Sequence, residues 1–152
     1  MRQAIASETA ELSDVLDQHI SRQLALCDAL EAIADDLPTA ADTMKCLQLS
    51  KSIYPIIKSA HEFEEQHVFP ALKTREPVAV DMHQVMERLH GEHWEDESHG
   101  HDLADALKEF AAGSERNAEK LSYMLRSFFG GLRRHLAFER EVLSPMLKEK
   151  AK

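Results

Sequence analysis

Apolar residues recur along the first part of the chain at alternating intervals of four and three residues. His19 and Gln23 occupy two positions of the same pattern. This spacing is typical of the buried face of an amphipathic α-helix in a bundle. The positions on this face are Leu12, Leu16, His19, Gln23, Leu26, Leu30, Ile33 and Leu37. The segment therefore predicts a helix that turns two polar side chains toward the core.

Three further segments show helical periodicity, and short breaks separate the four, at residues 35–38, 75–77 and 112–114. Thr39 is the expected N-cap of the second helix, which should extend to about Lys73. Long amphipathic helices joined by short loops predict an all-α, up-down-up-down four-helix bundle. We expect a single domain over residues 1–152, built from two helical hairpins at about 8–73 and 80–148.

The composition narrows the classes of function without selecting one. Of the 152 residues, 43% are hydrophobic and 30% charged, as expected for one soluble globular domain. The net charge of −9 disfavours nucleic acid and anionic membranes as partners, because both attract basic surfaces. Neither a signal peptide nor a membrane-spanning apolar run is evident, so a cytoplasmic location is expected. Cys27 and Cys46 are then expected to be reduced and buried.

Histidine and glutamate residues repeat in the two halves of the chain. Each half has two histidines 42 residues apart, the second followed four residues later by a glutamate, and a shift of 74 residues superimposes the two sets. The sets are His19, His61 and Glu65, and His93, His135 and Glu139. The following residues also repeat, HEFEEQHVFPAL at 61–72 and HLAFEREVLSPML at 135–147, with one inserted residue before the proline. The pattern indicates a duplicated helical hairpin.

The repeated side chains fall on the predicted inward faces of their helices. Residues four apart share a helix face, so each His-x-x-x-Glu directs an imidazole and a carboxylate into one volume. The inward positions are Leu47, Tyr54, Ile57, His61, Glu65, Val68 and Leu72 on the second helix, and Leu121, Met124, Phe128, Leu132, His135, Glu139, Val142 and Met146 on the fourth. Buried carboxylates need a compensating cation or proton. The interior of the bundle is therefore a candidate metal site.

The ligand types favour a transition metal. Four imidazoles and two carboxylates suit such an ion better than calcium or magnesium, which prefer oxygen ligands. Two histidines per ion, two bridging glutamates and an oxo or hydroxo bridge leave one coordination position open, which favours a pair of iron ions, with manganese or zinc as substitutes. Tyr54 lies two turns before His61 and is a candidate pocket residue, although an aromatic residue in such a position more often belongs to the core.

These motifs resemble the hemerythrin-like, or HHE cation-binding, family over nearly the whole chain. That family has one histidine on the first and third helices and His-x-x-x-Glu on the second and fourth, and residues 69–72 and 143–147 are similar to its helix ends. The resemblance implies a four-helix bundle that contains a non-haem di-iron centre for dioxygen or a similar diatomic molecule.

The resemblance also assigns the ligands. His19 and His61 would bind one iron, His93 and His135 the other, with Glu65 and Glu139 bridging. Oxygen-carrying members have another histidine four residues before the third-helix histidine, where this chain has Leu89, and this difference argues against reversible oxygen carriage. His90 is expected at the edge of the site, and Glu97, in an acidic stretch at 95–98, is a weaker ligand candidate on an exposed turn. The other histidines are expected at the surface: His67, His83, His99 and His101.

Three hypotheses for function remain open. The leading one is a metal-binding protein, rather than a dedicated enzyme, that binds or senses O2, NO or peroxide or buffers iron, with a protein partner for any signalling output. A ferritin-like iron oxidase or store would use Glu-x-x-His pairs, which occur as Glu64-x-x-His67 and Glu87-x-x-His90. A metal-free helical interaction module would leave buried imidazoles and carboxylates without compensation.

Overall fold

The computed structural model describes residues 2–74, 82–114 and 116–149, and these residues are almost entirely helical. The α-helices are α1 (Arg2–Asp36), α2 (Thr43–Phe63), α3 (Phe69–Lys73), α4 (Met82–Ala111), α5 (Ala118–Phe138) and α6 (Ser144–Lys148). Two π-helical turns, π1 (Glu64–Val68) and π2 (Glu139–Leu143), join α2 to α3 and α5 to α6 without a break. The described ranges contain no β-strand, and the predicted all-α four-helix bundle is confirmed.

Each long helix packs against two others. The first helix, α1, contacts α2 and α5, and α4 contacts the same two helices. Helices that follow one another in the chain are therefore neighbours in the bundle, as short connections require. No helix in the described ranges has the length and apolar character that a bilayer crossing requires.

Aliphatic side chains fill the space between the helices. On α1, Leu16, Leu26, Leu30 and Ile33 are buried at the predicted inward positions, and Gln23 is buried with them. Removal of this apolar surface from water is the main favourable contribution to folding. The alternating spacing of the first helix therefore identified its core face correctly.

Close packing of α2 against α4 depends on Gly100. A β-carbon at this position would lie 3.2 Å from Cγ2 of Ile53 and 3.5 Å from Cδ1 of Ile57, so a side chain would push the helices apart. The same two helices carry His61 and His93, whose rings stack with their centroids 3.9 Å apart. The glycine thus helps to bring the two imidazoles together.

Each π turn lies just before a proline. Pro70 and Pro145 are near the starts of α3 and α6. A proline has no N–H to donate, and its ring crowds the carbonyl group four residues earlier, so the α-helical hydrogen-bond pattern is interrupted there. Each π turn contains a backbone hydrogen bond between residues five apart. In π1 the N–H of Phe69 donates to the carbonyl of Glu64, and in π2 the N–H of Ser144 donates to the carbonyl of Glu139. The two prolines account for the position of both π turns.

The π turns change which residues face the core. In π2 and α6, Leu143 and Leu147 are buried, whereas Val142 and Met146, predicted to face inward, are only partly buried. A π turn contains more residues than an α-helical turn, so the inward face is reached one residue later. The prediction of an uninterrupted α-helical repeat was wrong in this segment.

The second helix begins at Thr43, four residues after the predicted cap. Oδ1 of Asp42 accepts the N–H groups of Met44 at 2.9 Å and Lys45 at 3.3 Å. A carboxylate there satisfies free N–H groups and complements the positive end of the helix dipole. Asp42 is therefore the N-cap, and Thr39 is not.

The remaining breaks are only partly within the described residues. The predicted break at 75–77 and the predicted start of the third helix near Val80 lie outside them. The predicted turn at 112–114 is present after α4, and Gly113 has a φ of 78° there. This left-handed conformation is one that glycine adopts without steric cost.

We expect Asp42→Ala to lower the free energy of unfolding by about 1 kcal/mol, because N–H groups of the first turn lose their acceptor. Urea denaturation followed by circular dichroism measures this change. Thr39→Ala is the matched control, and we expect a change of no more than about 0.5 kcal/mol at this exposed position. Equal losses in the two variants would contradict the assignment of Asp42 as the cap.

Candidate metal centre

Five buried polar side chains meet where α2 and α5 pass into the π turns. His61 and His135 lie in the last turns of α2 and α5, and Glu64 and Glu139 begin π1 and π2. His93 comes from α4. The exposed fractions of these residues are between 0% and 6%. Such groups are rarely buried unless they are paired with one another or with a cation.

The potential ligand atoms of these five side chains converge. Nε2 of His93 is 2.6 Å from Oε2 of Glu64, and Nε2 of His135 is 2.5 Å from Oε1 of Glu139. One potential ligand atom of each of these four residues lies within 4.8 Å of the others, and the same limit holds for a group of His61 with His93 and His135. Two helix ends, two π turns and α4 therefore surround one small volume, called here the buried cluster.

In the first hairpin, the carboxylate that the structure buries is not the one that the sequence predicted as a ligand. Glu65, predicted to bridge two ions, has 38% of its side chain exposed, whereas its neighbour Glu64 is fully buried. Glu65 contacts the buried cluster from its outer side, where Oε1 lies 3.2 Å from Nδ1 of His93. The interior position belongs to Glu64, which the prediction used only in the ferritin-like alternative.

The second repeat has one more residue between its histidine and its proline than the first repeat has, and this insertion explains the difference. Glu64 and Glu139 each lie six residues before the proline that follows the π turn, so the structure makes them equivalent. The histidine-to-glutamate spacing is then three residues in the first hairpin and four in the second. Both spacings place two side chains on one face of an α-helix. When the two repeats are aligned on their histidines, Glu65 corresponds to Glu139. When they are aligned on their prolines, Glu64 corresponds to Glu139.

The two buried carboxyl groups differ in protonation. Burial raises the pKa of Glu64 well above its usual range, and the adjacent Glu139 raises it further. Burial also acts to raise the pKa of Glu139, but hydrogen bonds with His135 and Glu64 outweigh this effect and lower it. In the metal-free protein Glu64 is therefore the protonated member of the pair and Glu139 the ionised one.

The buried imidazoles also differ. Burial acts to lower the pKa of His135, but the hydrogen bond to Glu139 and the surrounding carboxylates raise it to about 9. Burial, together with the neighbouring histidines, lowers the pKa of His61 to about 2, and burial also lowers the pKa of His93. At neutral pH His135 is paired as an imidazolium with Glu139, while the other two imidazoles are in the neutral form that binds metals.

Several polar atoms of the buried cluster make no well-aligned hydrogen bond with the described residues, although Nε2 of His93 and Oε2 of Glu64 lie only 2.6 Å apart. They are both ring nitrogens of His61, both carboxyl oxygens of Glu64, Nε2 of His93 and Oε2 of Glu139. Buried polar groups in folded proteins nearly always have a partner. Nitrogen and oxygen lone pairs that face one small volume fit a metal ion, and this mixture of donors suits iron, manganese or zinc.

A second group of carboxylates approaches the histidines from α4. Oε2 of Glu92 is 2.7 Å from Nδ1 of His135, and Oδ2 of Asp96 is 3.9 Å from the same nitrogen. Oε2 of Glu97 is 3.5 Å from Nδ1 of His61. These carboxylates lie on the side of each imidazole that faces away from the buried cluster.

The sequence prediction gave Glu92 no role in the site, and it missed Asp96 because it treated residues 95–98 as an exposed acidic turn. Instead α4 continues through this stretch, and burial raises the pKa of Asp96 to about 6. Glu92 and Asp96 are four residues apart and so share a helix face. This four-residue spacing is the feature of the sequence that could have predicted that both side chains approach His135.

Two predicted site residues lie outside the buried cluster. His19 is partly buried, and its ring stacks on Phe63 with the centroids 5.1 Å apart. Tyr54 is also partly buried, and its ring lies against the exposed His101, with the centroids 4.1 Å apart. The assignments of His19 as a ligand and Tyr54 as a pocket residue remain predictions.

The other histidines and the cysteines occupy different surroundings. Exposed side chains are found, as expected, at His67, His83, His99 and His101. His90 is also exposed, and its Nδ1 lies 2.9 Å from Oε1 of Glu65. Leu89, where oxygen-carrying hemerythrins have a histidine, is fully buried. Cys27 and Cys46 are buried free thiols, as predicted.

The comparison with protein families agrees with this geometry. The profile of the Hemerythrin HHE cation binding domain matches residues 11–147. The chain belongs to this family. No curated protein and no solved structure gives a significant match. Membership of the hemerythrin HHE family and a buried cluster of histidine and glutamate ligands together support a metal-binding protein.

For this hemerythrin-family protein in its metal-free form, we expect stability to fall as the pH rises from about 7.5 to about 9. The folded-state pKa of His135 is about 9 against an ordinary value of 6.5, so the folded chain holds a proton that the unfolded chain releases. The raised pKa of Glu64 acts in the same direction. His19, His61 and His93 have lowered pKa values and contribute little in this window, because above about pH 7.5 they are almost fully neutral in the unfolded chain as well.

Urea unfolding in the presence of a chelator, at several pH values, measures this dependence. The slope is at most about 1.4 kcal/mol per pH unit for each proton involved. Glu64→Gln should reduce the slope because glutamine does not titrate, and His67→Gln, at an exposed position, serves as the control. Stability that stays constant or rises between these pH values would contradict the protonation states assigned to the buried cluster.

Proposed function

We propose that this protein binds two iron ions in the buried cluster and uses them to bind or sense O2, NO or peroxide, or to hold iron in reserve. The observation that supports this most directly is the set of unpartnered imidazole nitrogens and carboxyl oxygens that face one volume. Membership of a cation-binding family supports the same role. The buried cluster would then gain from bound cations the compensation that hydrogen bonds do not supply.

The proposed ligand set replaces Glu65 with Glu64. One ion would take His93 and His135, the other His61 and His19, with Glu64 and Glu139 bridging. Beyond the effect of burial, the closeness of Glu139 raises the pKa of Glu64, and this closeness supports the bridging role, because a cation between the two carboxyl groups would relieve their repulsion. His19 would join the set by turning its side chain away from Phe63.

The number and type of donors support iron. Two histidines and two shared carboxylates for each ion would leave room for an exogenous ligand, and bound iron would supply an open position and a redox couple there. Leu89 is apolar and fully buried one turn before His93, so this side of the cluster offers no further imidazole. That feature supports sensing, reaction with peroxide or iron storage over reversible oxygen carriage.

The structure gives less support to the two alternatives. A ferritin-like site would need Glu87 and His90, but their side chains are 70% and 75% exposed and contact surface partners. The third residue of that scheme, His67, is also exposed. A metal-free interaction module would leave the polar atoms of the buried cluster permanently unpaired, which costs roughly 1–3 kcal/mol for each group.

Substitution of the adjacent glutamates tests the ligand assignment. After anaerobic iron loading and desalting, the wild-type protein should retain about two ions per chain. Glu64→Ala should lose at least half of the bound iron because a bridging ligand is removed, whereas Glu65→Ala, which removes only an outer partner of His93, should lose less. Metal analysis of each sample gives the ratio, and circular dichroism verifies that each variant is folded.

His67→Ala is the control for the ferritin-like alternative, and its metal content should equal that of the wild type. Metal loss in this variant, together with retention in His135→Ala, would favour that alternative, because the ferritin-like pairs do not include His135. Fewer than one tightly held ion in the wild-type protein would overturn the di-iron proposal.

Metal removal should also destabilise the protein. A ligand that binds only the folded state stabilises it by about 2.7 kcal/mol at a free concentration one hundred times its dissociation constant. Thermal unfolding of iron-loaded protein with and without a chelator measures the difference. A metal-free interaction module predicts identical midpoints.

A further inference from the structure

Three imidazoles of the buried cluster have Nδ1 facing a carboxylate outside it. The distances are 2.7 Å from His135 to Glu92, 3.2 Å from His93 to Glu65 and 3.5 Å from His61 to Glu97. For His93 and His135, the opposite ring nitrogen, Nε2, faces the buried carboxyl groups. Each of these two rings therefore lies between an inner and an outer carboxyl group.

We propose that Glu92 and Glu65 are positioning residues for the metal centre. Each accepts a hydrogen bond from Nδ1–H and so holds the imidazole with Nε2 directed toward the metal. Carboxylate partners of this kind fix the orientation of a metal-bound histidine and increase its basicity as a ligand. Their negative charge also favours the more oxidised state of a bound redox metal. This inference rests on the proposed metal-binding function.

Glu92 is supported by further contacts of its own. Its Oε2 contacts His135, while its Oε1 accepts a hydrogen bond from Nε of Arg88 at 3.0 Å. The guanidinium group of Arg88 in turn lies over the ring of Phe138, 4.6 Å from its centroid. Phe138 is followed directly by Glu139, which contacts the other nitrogen of His135. A continuous set of contacts therefore fixes this carboxylate against the imidazole.

The other two outer carboxylates share their charge with competing partners. Oε1 of Glu65 contacts both His93 and the exposed His90. Glu97 has one oxygen 3.5 Å from His61 and the other 3.5 Å from Nζ of Lys58. The distance to the imidazole increases from Glu92 to Glu65 to Glu97, and it therefore predicts that Glu92 has the largest influence, Glu65 a smaller one, and Glu97 the smallest.

The test compares variants of Glu92 and Glu65 with a matched surface variant, Glu95→Gln. Glu95 is exposed on the same helix, so its substitution removes the same charge without changing a partner of an imidazole. Two quantities are measured: cobalt(II) affinity, by competition with a chelator, and the reduction potential of the iron-loaded protein. The first requires no reaction at the centre, and the second reports the charge near the metals.

We expect Glu92→Ala to weaken cobalt binding by about 10- to 100-fold, in the range found for other outer partners of metal-bound histidines. Glu92→Gln keeps an acceptor oxygen, so it should lose less affinity but still raise the reduction potential. Glu65→Gln should shift both quantities in the same directions by smaller amounts. Glu95→Gln should match the wild type in both.

The outcomes separate the two proposals. If the wild type binds metal and the Glu92 and Glu65 variants match Glu95→Gln in affinity and potential, the positioning role is overturned while the metal site remains. If the wild type retains less than one ion per chain, the metal site is overturned and the positioning role with it. Because Glu92→Gln preserves size and shape, a fold defect confined to Glu92→Ala leaves the comparison intact.

Discussion

The structure depends on how the charges of buried imidazole and carboxyl groups are neutralised inside a helical bundle. Three imidazoles and two carboxyl groups are held where water cannot solvate them, and an ionised group there is costly without an opposite charge. In the metal-free state a proton on Glu64 and a positive charge on His135 supply part of this compensation. A metal would replace both, so binding should release protons, and metal affinity and pH are coupled in this protein.

The scaffold brings the ligands together with a few local departures from a regular helix. Gly100 allows α2 and α4 to approach closely enough for the rings of His61 and His93 to stack. Pro70 and Pro145 place a π turn at the end of each hairpin, and a buried glutamate begins each turn. π-helical turns occur frequently at functional sites because they reorient side chains without ending the helix. Here they carry the two inner carboxyl groups.

The sequence predicted the fold well because helical periodicity depends on burial, which the chain records directly in its apolar positions. It also identified four of the five residues of the buried cluster. It selected Glu65 over Glu64 because it assumed the same histidine-to-glutamate interval in both hairpins, whereas the first interval is one residue shorter. It likewise selected Thr39 over Asp42, since both residues can cap a helix and only the backbone geometry distinguishes them. Glu92 and Asp96 were missed because acidic residues are usually solvated unless tertiary contacts bury them.

The unequal spacing in the two hairpins has a consequence for how the sequence of such a hairpin can vary. A histidine and a carboxylate can meet across one helical turn when they are three or four residues apart. One copy can therefore gain or lose a residue at this point without losing the contact. A one-residue insertion or deletion between the histidine and the carboxylate should therefore be tolerated. A search pattern that fixes the interval between these two residues would then select a neighbouring carboxylate in some sequences.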